Sequence, residues 1–220
     1  TDFPLENHEG FVNRIQDDRK ALSIELKDVH FSYPDAERDA LNGVSMNIPA
    51  GSRVCIAGFS ESGKETLARL LGGLYTNFKG GFAVNGVSFR DVELNHYRDL
   101  VSKNFDRSEI IDGTILENIS LGKASVRYSD VAEILQKLGL SEVINRLPNG
   151  VLTELVGTGN NLSADVLEKI ILARCLVVKP GLLIISHPVL MLENTERNKI
   201  YSIIMDRGED MTVCFISNDE

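Results

Sequence analysis

The sequence has no hydrophobic run of the roughly 20 residues that a membrane-spanning helix needs, and it is short of basic charge. Its 23 lysines and arginines are outnumbered by 32 aspartates and glutamates, giving a formal net charge of −9. This excess of acid argues against broad binding to nucleic acid or anionic lipid. It does not exclude a local anion site, because one lysine and a few backbone amides can hold a phosphate.

Cysteine is scarce as well, and the three cysteines are not close together in the sequence. Cys55, Cys175 and Cys214 are far apart, and each lies in an apolar run. Metal ligands would lie close together, so we expect buried, reduced thiols in a reducing compartment. The 220 residues are 43% hydrophobic and 25% charged, without internal repeats or low-complexity tracts. This composition predicts one large globular domain, or a core with an inserted subdomain.

Alternating and apolar segments predict the strands. Leu22–Leu26 alternates between apolar and polar residues, Leu41–Ile48 is a second strand, and Gly80–Phe89 has a hairpin turn at Asn85-Gly86. Three nearly continuous apolar runs favour strands that are buried on both faces of a parallel sheet: Arg53–Ala57, Leu182–Ile185 and Thr212–Ile216.

Helical spacing follows these segments at 67–71, 127–146 and 162–178. In the last of these, Leu167, Ile170, Ile171 and Ala173 fall on the apolar side, whereas Asp165, Glu168 and Lys169 fall off it. Strands that alternate with helices predict an α/β fold with a mainly parallel central sheet.

The strongest chemical signal is the segment from Gly58 to Lys64, between a predicted strand and a predicted helix. Glycines at its ends allow successive amide N–H groups to point inward around a phosphate. The helix adds the positive end of its dipole, and Lys64 adds a full charge. The alternative is a strand-to-helix turn with an incidental lysine. The predicted phosphate-binding residues are Gly58, Ser60, Glu61, Ser62, Gly63, Lys64, Glu65 and Thr66.

Residue 65 departs from the usual pattern of phosphate loops. The residue after the lysine is normally Ser or Thr, whose hydroxyl holds Mg²⁺. Here it is Glu65, and the hydroxyl of Thr66 comes one position late. A carboxylate at this position either weakens nucleotide binding or ligates the metal itself, and the sequence leaves both open.

From about Leu22 to Asn218 the chain resembles the nucleotide-binding domain of ATP-binding cassette (ABC) transporters of the exporter type. Phe31–Pro34 resembles the A-loop, with Tyr33 as the platform for adenine, and Gly58–Thr66 resembles Walker A. The other matching segments are Asp112–Ile119 ("NGTIRENI"), Thr153–Gly159 ("TEVGERG"), Asn161–Ser163, Leu172–Arg174 and Lys179–Pro180 (signature motif and its helix), Leu182–Pro188 (Walker B) and Phe215–Ser217 (the strand before the switch histidine).

The resemblance implies a P-loop NTPase-like fold with an antiparallel β region and a helical subdomain at about 107–178. Residues 1–20 would be a lead-in from a transmembrane domain, and 21–220 the nucleotide-binding domain with its C-terminal end cut short. The implied ligands are ATP and Mg²⁺. The implied partners are the transmembrane domains and a second nucleotide-binding domain, identical or different, on the cytoplasmic side of a membrane; nucleic acid is not among them.

The catalytic residues that the family carries are mostly replaced. The signature "LSGGQ" is Leu162-Ser163-Ala164-Asp165-Val166, of which Ser163 is the expected ATP contact. The other replacements are Ser186 for the Walker B aspartate, His187 for the catalytic glutamate, Asp106 for the Q-loop glutamine, Glu193 for the D-loop aspartate and Asn218 for the switch histidine. Removing one general base usually loses ~10²–10⁴ in rate, so we expect weak hydrolysis or none.

Several readings stay open. Glu65 and Asp106 could form a rearranged metal site in place of the carboxylate lost at Ser186, or all three could reflect drift at an unused site. His187 could accept a proton from water or be a tolerated polar residue, and Tyr33 could stack on adenine or pack on the sheet. The rival functions are a non-hydrolysing scaffold or regulatory module beside a competent partner, a slow ATPase with rearranged residues, and an ABC protein of nucleic-acid metabolism.

Overall fold

The structure, a computed structural model, describes residues 21–104, 110–157, 162–185, 194–206 and 208–217. Its strands are β1 (Ile24–Phe31), β2 (Leu41–Ile48), β3 (Arg53–Ala57), β4 (Lys79–Val84), β5 (Val87–Ser88), β6 (Val101–Asn104), β7 (Gly113–Thr114), β8 (Glu154–Leu155), β9 (Leu182–Ile185) and β10 (Thr212–Ser217). Its α-helices are α1 (Lys64–Leu71), α2 (Leu94–Leu100), α3 (Ile115–Ser120), α4 (Tyr128–Lys137), α5 (Ser141–Asn145), α6 (Ala164–Val177) and α7 (Asn194–Met205).

The strands form a parallel sheet, an antiparallel sheet and a short ribbon. The parallel sheet has the order β3-β10-β9-β6, and the antiparallel sheet has the order β2-β1-β4-β5. The ribbon pairs β7 with β8. This arrangement confirms the predicted α/β fold with a mainly parallel central sheet and an antiparallel β region.

The parallel sheet separates two hydrophobic clusters, because successive side chains of a strand point to opposite faces. On β9, Leu182 and Ile184 join the cluster that contains α1 and the antiparallel sheet. Leu183 and Ile185 join the cluster that contains α4 and α6. Helix α1 and helix α6 therefore pack on opposite faces of this sheet.

The predicted burial of β3 on both faces was wrong. Its strand bounds agree with the prediction, but Cys55 and Ala57 are exposed, whereas Cys175 and Cys214 are buried. β3 is the first strand in the order of the parallel sheet. Val54 and Ile56 pack against the cluster around α1, and within the described residues the opposite face is left uncovered.

Two helical predictions also need correction. The stretch 127–146 is two helices, because α4 ends in a Schellman motif around Gly139. Gly139 has φ +69°, and the amide of Leu140 donates to the carbonyl of Leu135 at 2.8 Å. Glu168 was predicted on the polar side of its helix, yet it is buried on α6 with 3% exposure.

Thr212 joins the two large sheets. Its buried hydroxyl donates to the carbonyl of Leu22 at 2.6 Å, just before β1. The same hydroxyl accepts the amide of Gly51 at 2.9 Å, just before β3. One side chain on β10 thus fixes the starts of β1 and β3 relative to each other.

Asn118 fastens the helical part of the chain. Its fully buried amide accepts from the backbone N–H of Ile111 at 3.0 Å and donates to the carbonyls of Ile111 and Thr114 at 2.9 and 3.1 Å. Arg174 on α6 donates to the side-chain oxygen of Asn118 at 3.0 Å and to its backbone carbonyl at 2.6 Å. This network ties α3 to α6.

Replacing Asn118 with Ala is expected to lower the free energy of unfolding by about 2–4 kcal/mol, because it removes the buried side-chain amide that bonds the backbone of Ile111 and Thr114 and the guanidinium of Arg174. Urea unfolding measures this change. Asn145→Ala at the exposed end of α5 is the matched control and should change stability by less than about 0.5 kcal/mol. Equal losses in the two variants would contradict the importance of the network.

Candidate functional site

The phosphate loop, residues 58–63, joins the carboxyl end of β3 to the first turn of α1. The amide of Ser62 donates to the carbonyl of Phe59 at 3.2 Å, and the amide of Leu67 donates to Gly63 at 2.8 Å. Since α1 begins at Lys64, the amides of its first turn have no acceptor within the helix. These amides and the helix dipole favour an anion at this point.

The two glycines of the loop allow close approaches that a side chain would prevent. Gly63 has φ +85°, and a Cβ atom there would overlap with the carbonyl oxygen of Ala40. A Cβ atom at Gly58 would lie 2.8 Å from the hydroxyl oxygen of Ser62. The loop therefore packs closely against the start of β2, and Gly58 lies close to Ser62 within the loop.

Lys64 is buried at the first position of α1, with 6% exposure. Its ammonium donates to the carbonyl of Phe59 at 2.8 Å, inside the loop. Within the described residues no carboxylate forms an ion pair with it. A phosphate would be a stronger partner than a neutral carbonyl, because an anion adds the attraction between opposite charges to the hydrogen bond.

Glu61 and Glu65 bring negative charge to the loop. Both are exposed, as are Ser60 and Ser62. Glu61 has φ +65°, in the left-handed region that costs a residue with a side chain roughly 1–2 kcal/mol. Residue 61 thus combines backbone strain with a charge that repels phosphate.

Thr66 is buried and engaged with the turn that carries Tyr33. The hydroxyl oxygens of the two residues are 2.9 Å apart and share a hydrogen bond. The hydroxyl that comes one position late in the motif therefore contacts the predicted adenine platform in this structure.

Tyr33 belongs to an aromatic group with Phe31 and Tyr75, and it is 37% exposed. Tyr75 stacks on Phe31 with a centroid distance of 4.6 Å. Tyr33 meets both rings nearly edge-on, at 5.2 Å from Phe31 and 5.8 Å from Tyr75. Tyr33, the predicted adenine platform, is thus partly exposed to solvent, and Phe31 and Tyr75 pack against it.

A chain of polar contacts continues from Tyr33. The hydroxyl of Tyr75 donates to that of Tyr33 at 3.4 Å. A hydrogen bond from Arg69 to Tyr75 raises the pKa of the Arg69 guanidinium. We call Thr66, Tyr33, Tyr75 and Arg69 the tyrosine chain. The sequence carried no signal for Tyr75 and Arg69, since a tyrosine after a helix and an arginine within one are ordinary.

The remaining predicted site residues lie on other elements. Ser163 directly precedes α6, and Ser163, Ala164 and Asp165 are all exposed. Because α1 and α6 pack on opposite faces of the parallel sheet, Ser163 belongs to a different surface from the phosphate loop. Asp106 and His187 lie outside the described residues, as do Ser186, Glu193 and Asn218.

The sequence profile of the ABC transporter family matches residues 41–189. This span starts at β2 and includes the phosphate loop, α6 and β9.

Curated relatives agree with that match. The chain is 31% identical over 94% of its length to "Uncharacterized ABC transporter ATP-binding protein YknV" of Bacillus subtilis, of which it covers 34%. It is 29% identical over 89% of its length to an ATP-dependent lipid A-core flippase of Saccharophagus degradans, of which it covers 33%. The chain thus spans about a third of the length of these relatives.

A solved structure extends the likeness to the fold. The structure of a bacterial Atm1-family ABC exporter with ATP bound has a TM-score of 0.84 to this chain at 27% identity, covering 95% of this chain and 37% of that one. The chain therefore belongs to the ABC transporter family and corresponds to the ATP-binding domain of its exporters.

Proposed function

We propose that this chain binds ATP at the phosphate loop and couples nucleotide binding to transport, while hydrolysing ATP slowly or not at all. The observation that carries the binding proposal is Lys64, a buried ammonium whose hydrogen bond goes to a loop carbonyl. Lys64 is the first residue of α1, where the phosphate loop meets the backbone amides that have no acceptor within the helix. A buried cation in such a loop is suited to a triphosphate.

Several residues would hold the nucleotide. The backbone amides from Gly58 to Thr66, with the hydroxyls of Ser60 and Ser62, would contact the phosphates, and Lys64 would meet the outer ones. Tyr33 would support the adenine. Ser163 would contact the nucleotide of a partner domain, since it is exposed at the start of α6.

The residues near the loop are compatible with Mg²⁺. Glu65 offers an exposed carboxylate at the start of α1, and Mg²⁺ is often held by one or two carboxylates together with substrate phosphates. The hydroxyl of Thr66 is engaged by Tyr33. We propose Glu65 as one ligand and Asp106 as a second. Bound Mg²⁺ would neutralise phosphate charge.

Slow hydrolysis is proposed from the replaced residues. Phosphoryl transfer depends on positioning and on electrostatic stabilisation around the metal. The resemblance assigns Ser186, Asp106 and Asn218 to positions where the family carries metal-binding and catalytic side chains. His187 is the remaining candidate for a base. Losses of this kind compound even though they are not strictly additive.

The proposed partners are transmembrane domains and a second nucleotide-binding domain, at the cytoplasmic face of a membrane. Within the described residues no helix is long and apolar enough to cross a bilayer. Asp165 is exposed in the first turn of α6 and would bring a carboxylate toward a nucleotide bound by the partner. A pair of identical chains would therefore have two weakened composite sites, which favours a pairing with an intact domain.

A non-hydrolysing scaffold or regulatory module is the second candidate. The observation that favours it is the set of three exposed acids, Glu61, Glu65 and Asp165, on surfaces that would face phosphate. In this role the domain would still dimerise, and its partner would supply the turnover.

The purified chain is expected to turn over ATP at least about 100-fold more slowly than an ABC domain with the full catalytic set. Lys64→Ala should abolish what turnover there is, whereas Lys137→Ala on the exposed face of α4 should leave it unchanged. A rate near ~10 s⁻¹ that disappears in Lys64→Ala would contradict slow hydrolysis. Turnover that is slow but measurable, and lost in Lys64→Ala, would count against the non-hydrolysing scaffold.

Changes at Glu61 separate strain from charge. Glu61→Gly should raise the free energy of unfolding by about 1 kcal/mol, because glycine adopts the left-handed conformation without a steric penalty. Glu61→Gln keeps the strain but removes the charge, so both variants should bind ATP about 2- to 5-fold more tightly. Urea unfolding and equilibrium dialysis measure the two effects. Unchanged ATP affinity in Glu61→Gln would show that this carboxylate does not oppose the phosphates.

Removal of Mg²⁺ tests the role of Glu65. In excess EDTA, Glu65→Gln should bind ATP more tightly than the parent, since a repulsive charge is gone. With Mg²⁺ present, the parent should gain affinity and Glu65→Gln should gain less. Glu61→Gln serves as a control that should keep the full response to Mg²⁺. Equal affinity of the parent in Mg²⁺ and EDTA would contradict the rearranged metal site.

A further inference from the structure

Tyr33 is held in a defined place although it lies on a turn. The chain leaves β1 after Phe31 and turns at Pro34 and Asp35, where the residues are exposed. Side chains on such turns usually move freely unless contacts hold them. Here the hydroxyl of Tyr33 meets both Thr66 and Tyr75, and its ring packs against Phe31.

The contacts of Tyr33 lead back to the helix that carries the phosphate lysine. Thr66 and Arg69 are three residues apart, and so lie on one face of α1. Thr66 contacts Tyr33 directly, and Tyr75 donates to the hydroxyl of Tyr33. Arg69 interacts with both phenols, raising its own pKa and lowering that of Tyr33. Because Lys64 begins the same helix, the tyrosine chain fixes Tyr33 relative to Lys64.

The electrostatics of Tyr33 agree with this geometry. Burial raises the pKa of its phenol, but hydrogen bonds with Thr66 and Tyr75 and the charge of Arg69 outweigh burial and lower it. The pKa of Tyr75 is raised, first by burial and then by its hydrogen bond to Tyr33. In the hydrogen bond between the two phenols, Tyr75 is the donor and Tyr33 the acceptor.

We infer that Tyr75 and Arg69 are positioning residues that hold Tyr33 at a set distance and orientation from the phosphate loop. A ligand that spans both places, a base joined through ribose to a triphosphate, depends on that spacing. A triphosphate without a base does not. The inference rests on the proposed function, because it assumes that Tyr33 supports the base.

The test compares ATP with inorganic tripolyphosphate on the same variants. Tyr75→Phe removes one hydroxyl while keeping the ring that stacks on Phe31, and Arg69→Met removes the guanidinium while keeping the stem. Each should weaken ATP binding roughly 3- to 10-fold and change tripolyphosphate binding less than about twofold. The matched controls, Tyr128→Phe and Arg146→Met, alter exposed residues of the helical region and should change neither affinity.

A double-variant cycle tests whether the hydroxyls act through Tyr33. Tyr33→Phe combined with Tyr75→Phe should weaken ATP binding no more than Tyr33→Phe alone, since both changes break the same chain. Additive losses, or equal losses for ATP and tripolyphosphate, would overturn the inference. So would a parent that binds ATP and variants that bind it equally well. A parent that binds neither ligand would contradict the proposed function itself and this inference with it.

Discussion

The close approach of Gly63 to the carbonyl of Ala40 is the contact on which the rest of the site depends. It requires a residue without a Cβ atom at position 63, and it presses the phosphate loop against the start of β2. The amide of Ala40 in turn donates to the carbonyl of Phe31 at 2.7 Å, at the end of β1. The backbone of Ala40 therefore contacts both the start of α1 and the end of β1, from which the turn with Tyr33 begins. The distance between the phosphate loop and Tyr33, the proposed platform for the base, can stay constant because these backbone contacts connect them.

Two acidic residues, Glu61 and Glu65, lie at the phosphate loop, and the size of their repulsion determines how far they oppose a bound anion. Glu61 and Glu65 are exposed, so water and salt screen their charges, and each is worth about 1 kcal/mol at most against a nearby phosphate. Lys64 is buried and the amides of α1 are fixed, so their attraction is screened less. We therefore expect these two acids to weaken the proposed ATP binding without removing it. The proposed loss of catalysis would have a different source, in the residues that replace the family's metal-binding and catalytic side chains, where one missing group usually costs ~10²–10⁴ in rate.

The sequence predicts what local spacing controls and fails where distant segments meet. Gly58, Gly63 and Lys64 follow from a strand, an arc and a helix that are adjacent in the chain, and the structure has that order. The contact of Tyr33 with Thr66 joins residues 33 positions apart, which no local pattern encodes. The predicted burial of Cys55 is wrong because an apolar run does not reveal whether other elements pack on both faces of its strand. Glu168 lies off the apolar side by helical spacing and is buried because α6 is enclosed on more sides than a surface helix.

The measurement that tests the central claim most directly is isothermal titration calorimetry of ATP with Mg²⁺ into the purified chain. A buried Lys64 in an intact loop predicts saturable binding of one ATP per chain with a dissociation constant below about 1 mM. Lys64→Ala should lose this binding while its unfolding transition stays close to that of the parent. The absence of binding heat in the parent at millimolar ATP, confirmed by equilibrium dialysis, would contradict the claim that this domain has kept a nucleotide site.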